Sequence, residues 1–289
     1  MTTRPVRHAR ARSSPTIAVA LGAGGARGVA HIAMLEALDE IGVKPVALSG
    51  ASIGAIVGAA YAAGFEAKLL RTHALRVMRD RTDVMGKLLK ARVGRFADLI
   101  LGGFANPILI DAEIFLEVFW PDDMPERFED LTIPFQAVAA DFHGRGEAVF
   151  ASGPLASAVA GSMAMPGLIK PVEMNGRVLM DGGAVNPLPY DLLFDRADIV
   201  IAVDVTHGVP RGRKGLTPFD AMFGAAQIMQ GAITAQKLKA RPPDILVQPP
   251  VQAFRVFDFF QAAQILRACE ASKEQLKRRL AEAIEARIK

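Results

Sequence analysis

Residues 43–54 read Val43-Lys44-Pro45-Val46-Ala47-Leu48-Ser49-Gly50-Ala51-Ser52-Ile53-Gly54. An apolar run ends here in a serine flanked by glycines and leads straight into small residues. Val43–Leu48 has the continuity of a buried strand, and Ala51–Ala63 the composition of a closely packed helix that stops at Gly64. A G-x-S-x-G serine at a strand-to-helix junction sits on a tight, strained elbow. Gly50 and Gly54 permit the close turn, which pushes the Ser52 hydroxyl out above the sheet. The helix N-terminus behind it favours developing negative charge. The same pentapeptide also serves as a plain structural turn elsewhere, so the elbow needs partners before it means chemistry.

Upstream, Thr16-Ile17-Ala18-Val19-Ala20-Leu21 is a second short apolar run, bounded by Pro15 and a glycine cluster. Gly28–Ile41 then places Val29, Ile32, Leu35, Leu38 and Ile41 at helical spacing and stops at Gly42. Strand, glycine turn, helix, strand, tight turn, helix predicts a mostly parallel sheet with crossover helices, a three-layer α/β/α architecture. Downstream, Ile133–Ala140, Asp198–Val205 and Asp244–Val247 read as strands, and Phe257–Ile288 as largely helical. Val172–Met180 reads as a hairpin turning at Asn175-Gly176, the strongest short hairpin signal. The expected division is an arm over 1–15 and one domain over 16–289. Its excursions are 68–130 and 206–242, and 257–289 is a C-terminal helical segment.

A nucleophilic serine needs an anion-binding site and a base. The loop Gly22-Ala23-Gly24-Gly25-Ala26-Arg27-Gly28 follows the first strand and opens a helix, the setting of a phosphate or dinucleotide loop. Against that reading, Arg27 stands where the third glycine of G-x-G-x-x-G belongs, and strand two ends in Leu48-Ser49-Gly50 with no ribose-binding acid. No Gly-Lys-Ser/Thr follows either. A nest of backbone N–H groups for a transient oxyanion fits better, with Arg27 holding the loop. Two candidates remain for the base. His207, following Asp204, supplies the chain order Ser–Asp–His of an α/β-hydrolase esterase. Asp181, in Asp181-Gly182-Gly183 at the end of the hairpin strand, supplies a dyad that needs no histidine. His8, His31, His73 and His143 read as tail, surface or locally hydrogen-bonded groups.

With these motifs placed, the sequence resembles the patatin-like phospholipase family. The resemblance rests on Gly-x-Gly-x-x-Arg-Gly at 22–28, G-x-S-x-G at 50–54 and Asp-Gly-Gly at 181–183. Ser162-Met163-Ala164-Met165-Pro166-Gly167 and Asn186-Pro187 add to it. It covers residues 16 to about 275, and no family motif is recognised over 68–130. The resemblance implies a serine acyl hydrolase of lipid esters (phospholipid, lysophospholipid or acylglycerol), with no cofactor and no catalytic metal. By the same resemblance Ser52 is the nucleophile, Asp181 the general base and the loop of Gly22, Gly24, Gly25, Ala26, Arg27 and Gly28 the oxyanion hole. A free aspartate has a pKa of about 3.9, so the role requires burial to raise it. The uncharged stretch 148–169, with Met163, Met165 and Leu168, is a candidate for that apolar wall and for an acyl pocket, or else ordinary core. A silent lipid-binding protein on the same fold is the competing class.

Charge narrows the partners. The chain has 34 Lys+Arg against 30 Asp+Glu, and Arg4, Arg7, Arg10 and Arg12 of the arm account for the whole excess of +4. A neutral body gives no support to nucleic-acid binding. Within the body, 68–98 carries nine basic and three acidic side chains, and 111–147 ten acids against Arg127 and Arg145. The first pattern, with Met85, Leu88, Leu89, Phe96, Leu99 and Ile100 at helical intervals, suits a lid or a face on an anionic membrane. Two solvated helical faces are the plainer alternative. Pro45–Phe65 and Ala148–Ile169 contain no charge and are long enough to span a bilayer, but Pro45, Ser49 and Ser52 in one, and Pro154 and Pro166 in the other, mark buried strand and helix instead. A lone Cys269 precludes internal disulfides and fits a reducing compartment. The expected location is cytoplasmic, with peripheral membrane contact.

Overall fold

The computed structural model describes residues 14–90, 92–93, 109–207 and 217–288. The arm of 1–13, and with it His8, lies outside them, as do Phe96, Leu99 and Ile100 of the basic segment.

Strand β1 (Ile17–Leu21) sets the layers. Ile17, Val19 and Leu21 point to one face and join the main core, while Ala18 and Ala20 point to the other. Helix α1 (Val29–Glu40) follows, then β2 (Ala47–Ala51) and α2 (Ile53–Ala62). Strand β2 begins at Ala47 and ends at Ala51, both later than the hydrophobic run Val43–Leu48 suggests. Its hydrogen bonds continue through the small residues Ser49-Gly50-Ala51 right up to Ser52. Helices α3 (Ala67–Arg79) and α4 (Arg81–Lys90) come next, with a short antiparallel pair of β3 (Arg92–Val93) and β4 (Leu109–Ile110) and helix α5 (Ala112–Phe119).

The second half starts with β5 (Phe135–Asp141), β6 (Gly146–Phe150), α6 (Leu155–Ser162) and the hairpin β7 (Val172–Met174) and β8 (Arg177–Asp181). It closes with β9 (Ile199–Val203), α7 (Pro218–Ala240), β10 (Ile245–Val247), α8 (Ala262–Ala268) and α9 (Glu270–Ile288). The eight-stranded sheet runs β10-β9-β1-β2-β5-β8-β7, with β6 also on β5. The pairs from β10 through β5 are parallel, and β6, β7 and β8 pair antiparallel. This is the expected three-layer α/β/α arrangement with a mostly parallel sheet. The layers are unequal. One face carries helices α1, α2, α3, α5, α6, α8 and α9. The alanine-rich face is covered by Leu188, Tyr190 and Leu193 and by Leu238 of α7. Short alanines let that thin layer approach closely.

Both long uncharged stretches are buried strand and helix, and no helix among the described residues is long and apolar enough to cross a membrane. Over 68–79 the amphipathic reading resolves as a helix whose apolar side is covered: Ala67, Leu70 and Met78 are buried in the core. Arg71 turns inward as well, onto Glu36, in a network where Lys273 reaches Glu36 (3.3 Å) and Glu40 (2.6 Å) and ties α1, α3 and α9 together.

Candidate active site

Register on β5 brings the two catalytic candidates together. Strand β2 runs parallel to β5 and ends with Ala51 opposite Val138. Strand β8 runs antiparallel and ends with Asp181 opposite Ala139. Residues 137–141 of β5 give their other edge to β6, so β2 and β8 occupy the same edge and meet end to end. The residue that leaves β2 and the residue that closes β8 therefore converge: Ser52 Oγ donates to Asp181 Oδ2 at 2.6 Å.

The elbow is as sharp as the motif requires. Ser52 adopts φ 55°, ψ −124°, a region that side chains rarely occupy, and so stores backbone strain. A Cβ on Gly54 would stand 2.1 Å from the Leu21 carbonyl oxygen, and one on Gly50 2.4 Å from that of Gly54. The turn is pinned from behind. Ser52 N–H donates to Ser162 Oγ (2.9 Å), and Ser162 Oγ donates in turn to the Val138 carbonyl (2.5 Å). Ser162 ends α6 and is fully buried. Sequence reasoning gave it no role, although a polar residue in an otherwise uncharged run is the signal that marks it.

Asp181 is 5% exposed, and its N–H donates to the Ala164 carbonyl (3.0 Å). Burial pushes its carboxyl up to about 6, against the opposing pull of hydrogen bonds from Ser52 and from Gly183 N–H (2.8 Å to Oδ1). Desolvation penalises the anion more than two donors stabilise it. Gly182 and Gly183 form the short helical turn that follows.

The glycine loop lies beside this pair. The amides of Gly22, Ala23 and Ala26 are taken by the carbonyls of Val203, Pro187 and Val256. Gly24 and Gly25 line the cavity with Ser52, and among the described residues their amides meet no acceptor. Gly25 has φ 58°, the left-handed region in which glycine carries no Cβ penalty. The donors facing the cavity are thus narrower than the whole loop: the amide of Ala26 is spent, and Arg27 and Gly28 are buried behind it. Arg27 holds the loop from within through Nε to the Gly24 carbonyl (3.4 Å) and Nη2 to Gln227 of α7 (3.1 Å). Burial lowers its pKa, and the charge of Asp204 partly offsets this. His31 is fully buried with Nε2 2.8 Å from the Gly22 carbonyl, and burial pushes its pKa to about 4. A neutral imidazole donating there braces the first turn of the loop.

The histidine candidate is elsewhere. His207 Nδ1 contacts the Asp204 backbone carbonyl (3.1 Å), and its Nε2 lies against Gln252. The Asp204 carboxylate accepts from Thr206 and Gln248. Among the described residues the Asp204–His207 pair makes no hydrogen bond to Ser52, whose hydroxyl meets Asp181 instead. Of the other histidines, His73 meets the Phe119 carbonyl and His143 packs against Phe142.

Ser52 and Asp181 open into a cavity of about 330 Å3. Met165 and Pro166 line one side of it, whereas Met163 is core and Leu168 packs against that core. The opposite wall is α7, which contributes Met222, Phe223, Ala226, Gln227, Met229 and Gln230. This wall falls in 206–242, which the sequence reading left as an excursion. A local signal was present, since Thr217-Pro218-Phe219-Asp220 forms a capping box with proline at the helix start. Among the described residues no group of three or more His, Cys, Asp or Glu side chains is placed to hold a metal ion.

Fold and site define an α/β/α protein with a glycine-loop and serine-elbow centre in which serine is hydrogen-bonded to aspartate. The family model for patatin-like phospholipase matches residues 19–194, and the chain belongs to that family. It is 37% identical over 198 residues to an uncharacterized NTE family protein of Mycobacterium tuberculosis, covering 68% of this chain and 51% of that one. It is 26% identical over 290 residues to the lysophospholipase NTE1 of Candida glabrata, covering 90% of this chain and 16% of that one. The chain thus spans about half the length of the mycobacterial relative, and a small part of the yeast protein. The human GIVD cytosolic phospholipase A2 shares the fold at 13% identity, with a TM-score of 0.54 over 95% of this chain and 60% of that one.

Proposed function

We propose that the protein is a serine acyl hydrolase that cleaves carboxylic ester bonds of lipids: phospholipid, lysophospholipid or acylglycerol. The observation that carries this reading is the 2.6 Å hydrogen bond from Ser52 Oγ to Asp181 Oδ2 at the floor of an apolar cavity. Ser52 Oγ attacks the ester carbonyl carbon while its proton passes to Asp181. The resulting oxyanion is held by the amides of Gly24 and Gly25, and one such donor is worth roughly 2.7–4 kcal/mol of transition-state stabilisation. Collapse expels the alcohol, which takes the proton from Asp181 and leaves Ser52 acylated. Water then attacks the acyl group and gives a proton to Asp181. The second collapse releases the fatty acid and returns that proton to Ser52 Oγ.

Membership of the patatin-like phospholipase family and the name of the yeast relative, a lysophospholipase, both support a lipid substrate. The aspartate suits the base role because burial raises its pKa towards neutrality, where proton transfer is most efficient. The test is a fluorophosphonate probe followed by hydrolysis of a lipid panel, with Ser52→Ala as control. Labelling and fatty-acid release that both vanish in Ser52→Ala are expected. A native protein that neither labels nor releases fatty acid would be a silent member of the fold.

A further inference from the structure

Helix α7 wears its apolar side on the outside. Met222, Ile228 and Met229 are 47%, 69% and 60% exposed, three of the ten large exposed hydrophobics among the described residues. Ala225 and Ala232, also exposed, complete a stripe at spacings of three and four residues along one side. Between Phe219 and Gln236 the only charged residue is Asp220, whose carboxylate is engaged by Thr217 in the capping box. Isolated exposed hydrophobics are ordinary on a protein surface, whereas a contiguous stripe marks a binding face.

The stripe is continuous with the cavity. Met222 and Met229 are at once exposed and part of its wall, and Phe223, Gln227 and Gln230 of the same helix face inward towards Ser52. Two exposed cations lie close in sequence to the lining. Arg255 adjoins the lining residue Val256, and Lys170 follows the Met165–Gly167 turn, where a Cβ on Gly167 would meet Met222 at 3.1 Å. The sequence immediately before the helix, 208–216, holds Arg211, Arg213 and Lys214 and no acid. An apolar stripe with basic residues near it in the chain matches an anionic bilayer, in which the former enters the acyl region and the latter meet phosphate. Helix α3 offers less, because Ala67, Leu70 and Met78 are buried in the core and Leu69 alone of its large apolar side chains is exposed.

We propose that α7 is the surface on which this protein docks to an anionic lipid bilayer, with the mouth of the Ser52 cavity facing the membrane. This inference deepens the reading of the site as a lipid ester hydrolase and rests on it for the orientation. In this arrangement Ile228 and Ala232 insert among acyl chains, and a lipid ester leaves the bilayer past Met222 and Met229 without crossing water.

The test uses the full chain carrying Ser52→Ala, so that vesicles stay intact, with and without Ile228→Glu plus Ala232→Glu. Neither residue lines the cavity. Co-sedimentation with phosphatidylcholine vesicles that contain phosphatidylglycerol is expected for Ser52→Ala, and weaker binding to pure phosphatidylcholine. The added pair of substitutions should weaken anionic-vesicle binding about tenfold or more, the loss expected when one buried isoleucine is replaced by a charge. With Ser52 intact, the same pair should leave hydrolysis of a soluble short-chain ester unchanged, and circular dichroism should show an unaltered fold. Equal vesicle binding with and without the pair overturns the proposal, as does absence of binding by Ser52→Ala. A concentration-dependent dimer that dissociates on Ile228→Glu without vesicle binding assigns the stripe to a second copy and overturns it too. Failure of the hydrolase reading shows separately, as vesicle binding with no ester turnover by the native chain.

Discussion

Ala51 and Asp181 stand opposite consecutive residues of β5, Val138 and Ala139, on the same edge of that strand. The proposed nucleophile and base are therefore placed by the ends of two strands that run towards each other. Their separation is set by sheet hydrogen bonds and not by the reach of flexible side chains. Such placement tolerates little drift, which is what a proton transfer over 2.6 Å needs.

Burial of Asp181 makes a stability prediction of definite sign. Its carboxyl has an ordinary value of 3.8 and is raised to about 6 in the fold. The folded state binds the proton more tightly, so the relative stabilisation is fully present below about 4 and is lost as pH rises to 6. Above that, the native protein carries the whole cost of a buried anion, about 3 kcal/mol for a two-unit shift. Asp181→Asn should abolish lipid ester hydrolysis while gaining stability over the native protein between pH 4 and 6, with the gain level beyond. Urea midpoints at pH 5 and pH 8 measure it, and a pH-independent difference would contradict the account.

The same group, as the proposed base, makes a prediction for the pH profile of activity. If Asp181 accepts the Ser52 proton, kcat/KM should rise through about pH 6 and then flatten, because that limb reports the base of the free enzyme. His207→Ala should leave both the limb and the plateau in place, since His207 is engaged with Asp204 and Gln252. A limb that disappears in His207→Ala would place the base there.

Ser162, which the sequence reading gave no role in the site, should matter to it. Ser162→Ala leaves Ser52 N–H and the Val138 carbonyl buried without their partner, at a cost of about 1–3 kcal/mol. Because the lost bond holds the strained elbow, labelling of Ser52 by a fluorophosphonate should slow as well. Thermal melting and labelling rates measured together separate the two effects. Normal labelling in a destabilised protein would confine Ser162 to a packing role.

What the sequence made legible was local. Glycines flanking Ser52 at a strand end announce an elbow, and Asn175-Gly176 announces the hairpin that carries Asp181. The end-to-end meeting of β2 and β8 was not legible, because it depends on β5 pairing two strands along one edge, a non-local register. The end of β2 was read too early, since backbone pairing continues through Ser49, Gly50 and Ala51, which have no hydrophobic signature. Helix α7 was missed for a related reason. Its apolar residues face outward as well as inward, which blurs the one-sided period by which a surface helix is recognised.

Glycines in the two helices that bound the site should respond in opposite ways to alanine. Gly54 lies in α2, where an added Cβ would meet the Leu21 carbonyl oxygen at 2.1 Å and that of Gly22 at 2.8 Å. These are backbone atoms of β1 and of the glycine loop, and neither can swing aside as a side chain would. Gly54→Ala should therefore push the elbow off β1 and cost several kcal/mol, as overpacking and strain combine. Gly224 and Gly231 lie inside α7 with nothing within 4 Å of an added Cβ. There alanine contributes only its better helix propensity, about 1 kcal/mol per site. Thermal melts of the single variants check both signs. A Gly54→Ala protein as stable as the native one would mean that the elbow is not wedged against β1.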